Sequence, residues 1–145
     1  SAPDYLDLCF DSLVFREARP MSESGNVLVV EDNDFVRMQI VRYLNEAGYI
    51  TREAVDGSKA LEMLTPDIAL AVVDVRMTPL DGFEFIKAMR GRNLKTPVIL
   101  VTGDQNPDLL NEANKWEVSA VLMKPVQKDR LVKMAARAIQ QGSRL

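Results

Sequence analysis

The sequence predicts an α/β fold: a doubly wound, five-stranded parallel sheet covered by helices. Residues 27–30, 68–73 and 98–101 are unbroken apolar runs, as expected of strands buried on both faces. Between them lie segments with apolar residues at helical spacing, joined by short connections. Apolar strands alternating with helices imply parallel pairing, right-handed crossovers and a helix layer on each side.

Each element follows in order. Val27 to Val30 is a β-branched strand running into Glu31 and Asp32. Val36, Ile40, Val41 and Leu44 share a helical face, and Gly48 stands where the helix would close. Tyr49 to Val55 reads as a weaker, more polar strand, and Ser58 to Leu64 as a short helix stopped by Thr65-Pro66. Ile68 to Val73 is the next strand, ending at Asp74. A helix over 83–90 turns Phe85, Ile86 and Met89 inward, and Val98 to Val101 forms a strand ending at Thr102. Asn106-Pro107 combines an N-cap with a ring that pre-sets the first helical φ. Ala120 to Met123 is the fifth strand, ahead of Lys124-Pro125, and Leu131, Met134, Ala135, Ala138 and Ile139 mark a last amphipathic helix.

Composition narrows the function. The chain has 145 residues, 47% of them hydrophobic, enough for one buried core. With 18 Lys and Arg against 21 Asp and Glu, the net charge of −3 speaks against direct nucleic-acid binding. Cys9, the only cysteine, cannot close an intrachain disulfide. No run is apolar and long enough for a signal core or a bilayer span, so no membrane role and a cytoplasmic location are expected. There is no histidine, which removes the commonest general base, any His-Asp triad and a phosphohistidine carrier.

A small polar stretch after Met21 sets a boundary near residue 25. Residues 1–25 are expected to be an extension and linker in which Leu6, Phe10, Leu13 and Val14 recur at helical spacing. Residues 26–141 are expected to form the folded domain and 142–145 a C-terminal tail. The extension reads either as a poorly ordered appendage or as a helix that docks on the domain or pairs two chains, so a homodimer stays open.

In an open parallel sheet the carboxyl ends of the strands meet at one edge, where ligands bind at the topological switch point. That edge should gather Glu31, Asp32, Asp74, Thr102 and Lys124. Singly, each reads as an ordinary solvated loop residue. Together they do not: like charges about 4 Å apart at an effective dielectric near 20 cost about 4 kcal/mol per pair, so a cation is required among them. Without histidine or clustered cysteine zinc is a poor candidate, and a hard, oxygen-seeking ion such as Mg²⁺ suits the carboxylates. Lys124 adds a second cation and Thr102 a hydroxyl donor. These groups match the needs of phosphoryl transfer, with Asp74 as a nucleophile that requires no base.

The same residues resemble the response-regulator receiver domains, whose simplest members are the stand-alone, chemotaxis-type regulators with a flavodoxin-like (βα)5 fold. The resemblance covers about residues 26–141. Val-Leu-Val-Val-Glu-Asp-Asn at 27–33 is similar to the family's acidic motif, which implies that Glu31 and Asp32 hold Mg²⁺. Val-Val-Asp-Val-Arg-Met at 72–77 with Leu-Asp-Gly at 80–82 looks like the phosphoacceptor segment. It implies phosphorylation of Asp74, with the backbone carbonyl of Arg76 completing the metal shell. Val-Thr-Gly at 101–103 and Met-Lys-Pro at 123–125 look like the switch hydroxyl and the lysine with its cis-proline. The implied partners are a sensor histidine kinase or histidine phosphotransfer protein and a downstream protein target.

Two positions depart from the family pattern. Thr78 stands before Pro79 where the family places Pro directly after the methionine, and Val121 replaces the usual aromatic switch residue. An inward-swinging ring is therefore not the readout. Arg76 and Asp104 occupy the positions that tune hydrolysis in the family, and either pair across the site mouth or are simply solvated. Three other functions compete with a phosphorylated switch. A dehalogenase-like phosphohydrolase needs a second Asp at position 76, a flavin carrier needs a phosphate-cradling loop after the first strand, and a degenerate receiver would serve as phosphate sink or constitutive scaffold. No further domain is expected after the last helix, so the output would pass through a partner.

Overall fold

Strands β1 (Asn26–Val30), β2 (Ile50–Ala54), β3 (Leu70–Asp74), β4 (Val98–Thr102) and β5 (Ala120–Met123) form one sheet in the computed structural model, ordered β2-β1-β3-β4-β5. All four pairings are parallel. The structure describes residues 25–104 and 106–142. The helix expected within the first 20 residues and the tail after Gly142 lie outside them.

Helices α1 (Asp34–Glu46), α2 (Gly57–Met63), α3 (Gly82–Gly91), α4 (Pro107–Lys115) and α5 (Lys128–Gly142) connect and follow the strands. Alternate strand residues serve opposite faces. Val27, Val29, Leu70, Val72, Ile99 and Val101 pack with Ile40 and Leu44 of α1 and Leu131, Ala135 and Ala138 of α5. Leu28, Val30, Ala71, Val73, Val98 and Leu100 pack with Ala60 of α2, Phe85, Ile86 and Met89 of α3, and Leu109 and Ala113 of α4. Each central strand is thus apolar throughout because both its faces are covered. This is the expected doubly wound five-stranded parallel sheet.

Local signals set the helix ends. Asn33 caps α1 by accepting the backbone N–H groups of Phe35 and Val36 at 2.9 and 3.1 Å. Gly48, at φ 100°, takes the left-handed turn that ends it. Asp81 and Glu84 form a reciprocal capping box on α3, and Asn106 with Pro107 opens α4. The weak second strand is one of the two sheet edges, with Ile50 59% exposed. One apolar run overstates its strand: β3 begins at Leu70, because the N–H of Ile68 is turned back to the Thr65 carbonyl at 3.2 Å. Ile68 is apolar because it is buried, not because it is in the sheet.

The strand order reverses between β1 and β3, whose carboxyl ends carry Glu31, Asp32 and Asp74. The acids therefore stand at the switch point.

Candidate functional site

Backbone contacts fix where each side chain emerges. The N–H of Glu31 extends the β1–β2 ladder to the Ala54 carbonyl at 3.1 Å. Its carboxylate accepts the Asn33 N–H through Oε2 at 3.1 Å, which folds the acidic loop over itself. Asp74 is the last residue of β3, and the loop beyond it is tied down twice: Val75 N–H to the Val101 carbonyl at 3.2 Å, and Gly82 N–H to the Val75 carbonyl at 2.9 Å. A Cβ on Gly82 would lie 2.5 Å from the Asp74 carbonyl oxygen, so only glycine lets α3 start this close to the acceptor strand. Lys124 follows β5, and its N–H reaches the Thr102 carbonyl at 2.8 Å. Lys124-Pro125 is cis as expected, and Thr78-Pro79 is cis as well.

These constraints bring the expected residues together. Carboxylate oxygens of Glu31, Asp32 and Asp74 lie within 4.8 Å of one another. Glu31 and Asp74 are buried, whereas Asp32 is exposed. The Lys124 Nζ reaches between the two buried acids, 3.2 Å from Asp74 Oδ1 and 3.3 Å from Glu31 Oε1. The contact with Glu31 is an ion pair that leaves the buried Oε1 without a hydrogen-bond donor. Burial pushes the Glu31 carboxyl up to about 7; the charge of Asp74 adds to this, while the Asn33 N–H and Lys124 oppose it. Burial works against the Lys124 ammonium too, but Glu31 and Asp74 outweigh it and hold its pKa above the usual lysine value.

One ammonium does not satisfy three clustered carboxylates. An undonated buried oxygen beside two further carboxylates is a donor set suited to a hard divalent cation, and Mg²⁺ fits it. Arg76 lies on the β3–α3 loop that follows Asp74, with its side chain exposed.

Thr102 is buried at the end of β4, and its hydroxyl accepts the Asp104 N–H at 3.0 Å. The Asp104 carboxylate forms an ion pair with Arg76, linking the β4–α4 and β3–α3 loops above the site. Beside Asp32 a cleft of about 640 Å³ opens between these loops and α4, lined in part by Arg76, Thr78, Asp81 and Asp104. Val121 is half-buried opposite Leu100 and packs against the core on the α2–α3–α4 side of the sheet.

Residues 27–136 match the family model of the response regulator receiver domain, and the chain belongs to that family. It is 32% identical over 124 residues to the transcriptional regulatory protein FixJ of Bradyrhizobium diazoefficiens, covering 84% of this chain and 60% of that protein. It is 32% identical over 123 residues to the regulatory protein AtoC of Escherichia coli, covering 83% of this chain and 26% of that protein. The chain thus spans about 60% of the length of one of these relatives and about a quarter of the other.

Among solved structures, the signal receiver domain of NarL from Mycobacterium tuberculosis superposes with a TM-score of 0.75 at 28% identity, covering 81% of this chain and 98% of that one. The chemotaxis protein CheY4 of Vibrio cholerae does so with a TM-score of 0.72 at 29% identity, covering 79% and 98%. The receiver is a signalling domain of two-component systems rather than a turnover enzyme, which sets aside the hydrolase and flavin-carrier alternatives. Among the described residues no helix is long and apolar enough to cross a membrane.

Proposed function

We propose that this chain is a cytoplasmic switch that accepts a phosphoryl group on Asp74 in a Mg²⁺-dependent reaction and thereby changes its affinity for a protein partner. The observation that carries the reading is the placement of the Asp74 carboxylate 3.2 Å from the Lys124 ammonium, inside the cluster it forms with Glu31 and Asp32.

The phosphoryl donor is a phosphohistidine on a sensor histidine kinase or a histidine phosphotransfer protein. An Asp74 carboxylate oxygen attacks the phosphorus, the P–N bond breaks, and its electron pair leaves with the donor imidazole. The product is an acyl phosphate on Asp74. Lys124 stabilises the charge on the phosphoryl oxygens, and the Thr102 hydroxyl donates a hydrogen bond to one of them. Glu31, Asp32, Asp74 and the Arg76 carbonyl would hold Mg²⁺, which when bound neutralises anionic charge at the reacting phosphoryl group. If Thr102 turns toward that group, the Asp104 N–H loses its acceptor, and the β4–α4 loop and α4 are free to rearrange.

Intact-mass spectrometry after incubation with acetyl phosphate tests this. One added phosphoryl group is expected with Mg²⁺ and none with chelator, and Asp74→Asn should stay unlabelled. Equal labelling of Asp74→Asn would overturn the assignment.

A further inference from the structure

Arg37 belongs to none of the family motifs quoted above, yet its side chain is only 12% exposed and its three guanidinium nitrogens reach three separate segments. Nη1 donates to the backbone carbonyl of Glu31 at 2.9 Å. Nε donates to Glu53 Oε1 at 3.0 Å near the end of β2, and Nη2 to Asp34 Oδ1 at 2.7 Å in the first turn of α1. Both carboxylate partners are more exposed than the guanidinium that joins them.

The carbonyl contact matters most. Glu31 already gives its N–H to Ala54 and accepts the Asn33 N–H on its carboxylate. With its carbonyl held by Arg37, every polar group of Glu31 is hydrogen-bonded except Oε1, which faces the Lys124 ammonium. That carbonyl belongs to the peptide plane that continues into Asp32. Holding it restricts the rotation that would otherwise swing Asp32, the one exposed acid of the cluster, away from Glu31 and Asp74.

We propose that Arg37 is the positioning residue of the acidic loop: its fork locks the Glu31–Asp32 peptide and so pre-sets two of the carboxylates for a divalent cation. This rests on the reading that the acid cluster takes Mg²⁺. The role needs a planar fork. A lysine at this position keeps the charge but cannot direct donors to three acceptors in fixed directions.

The test is calorimetric titration of the full chain with Mg²⁺, together with amide hydrogen exchange of the metal-free protein. Arg37→Ala and Arg37→Lys should each weaken Mg²⁺ binding about tenfold or more. Arg42→Ala, which removes the same charge from an exposed position on the same helix, should change it less than twofold. The Glu31 amide should exchange faster in Arg37→Lys without metal, while amides of β3 and β4 stay protected, a pattern that general destabilisation does not produce. Wild-type affinity and protection in Arg37→Lys would overturn the positioning role, since charge alone would then suffice. A wild-type chain that binds no Mg²⁺ would instead overturn the reading of the cluster itself. Should Arg37→Ala unfold, Arg37→Lys decides.

Discussion

The buried Thr102 hydroxyl accepts the backbone N–H of Asp104 at 3.0 Å, and the carboxylate of the same Asp104 pairs with Arg76 on the neighbouring loop. A buried hydroxyl at the end of a central strand is thus connected through one residue to an ion pair over the site. Any movement of Thr102 toward Asp74 acts on both loops together.

The first prediction concerns that ion pair. If Arg76 and Asp104 shield an acyl phosphate from water, Arg76→Ala and Asp104→Asn should each shorten its half-life about two- to fivefold, the range open to an exposed pair worth up to about 1 kcal/mol. The double variant should lose no more than either single one, because both remove the same contact. Decay of the phosphorylated mass after removal of the donor measures it; additive effects would show that the two side chains act separately.

Thr102→Val keeps the shape of the side chain and removes the hydroxyl. Labelling by acetyl phosphate should slow about tenfold or more, as a donor aimed at developing charge is lost. Folding stability should fall by about 1 kcal/mol, since the Asp104 N–H loses its acceptor. Chemical denaturation and labelling kinetics on one preparation separate the two effects, and an unchanged labelling rate would remove Thr102 from the reaction.

Lys124→Gln leaves two buried carboxylates without their ammonium. Breaking a fully buried pair costs about 3–5 kcal/mol; Lys124 keeps 28% of its side chain exposed, so about 1–3 kcal/mol is expected in the metal-free protein at pH 8. Added Mg²⁺ should restore part of the loss. Urea unfolding with and without the ion reads both.

Glu31 supplies a pH prediction. Its folded-state value of about 7 lies above the ordinary 4.5, so between these values the folded chain holds a proton that the unfolded chain has released. Its contribution therefore favours the fold at low pH and fades as pH rises from about 4.5 to about 7. Glu31→Gln should abolish that slope in the metal-free protein. Mg²⁺ affinity should run the opposite way, falling as pH drops below about 7, because the proton and the cation compete for one carboxylate. Thermal unfolding of both proteins across this range decides it; identical pH profiles would count against the buried-carboxyl account.

Much of this was legible in the residues. Val72 and Ile99 sit in apolar runs of strand length that alternate with helical segments, and that pattern predicts a parallel sheet covered on both faces, which sends Asp74 and Thr102 to one edge. The acids, the hydroxyl and the lysine followed from strand-end position. Arg37 did not, because nothing in its spacing distinguishes it from any helical arginine; its meaning depends on the folded-back Glu31 carbonyl and on Glu53, sixteen residues away and brought near by the β1–β2 pairing. The early end of the Ile68 run was hidden for a related reason, since burial and strand membership leave the same mark on a short apolar segment.

Borohydride reduction of the labelled protein converts an acyl-phosphorylated aspartate to homoserine, and peptide mapping then locates it. Conversion confined to position 74 and dependent on Mg²⁺ is the predicted result; conversion at another acid, or at position 74 with equal yield in the presence of chelator, would contradict it.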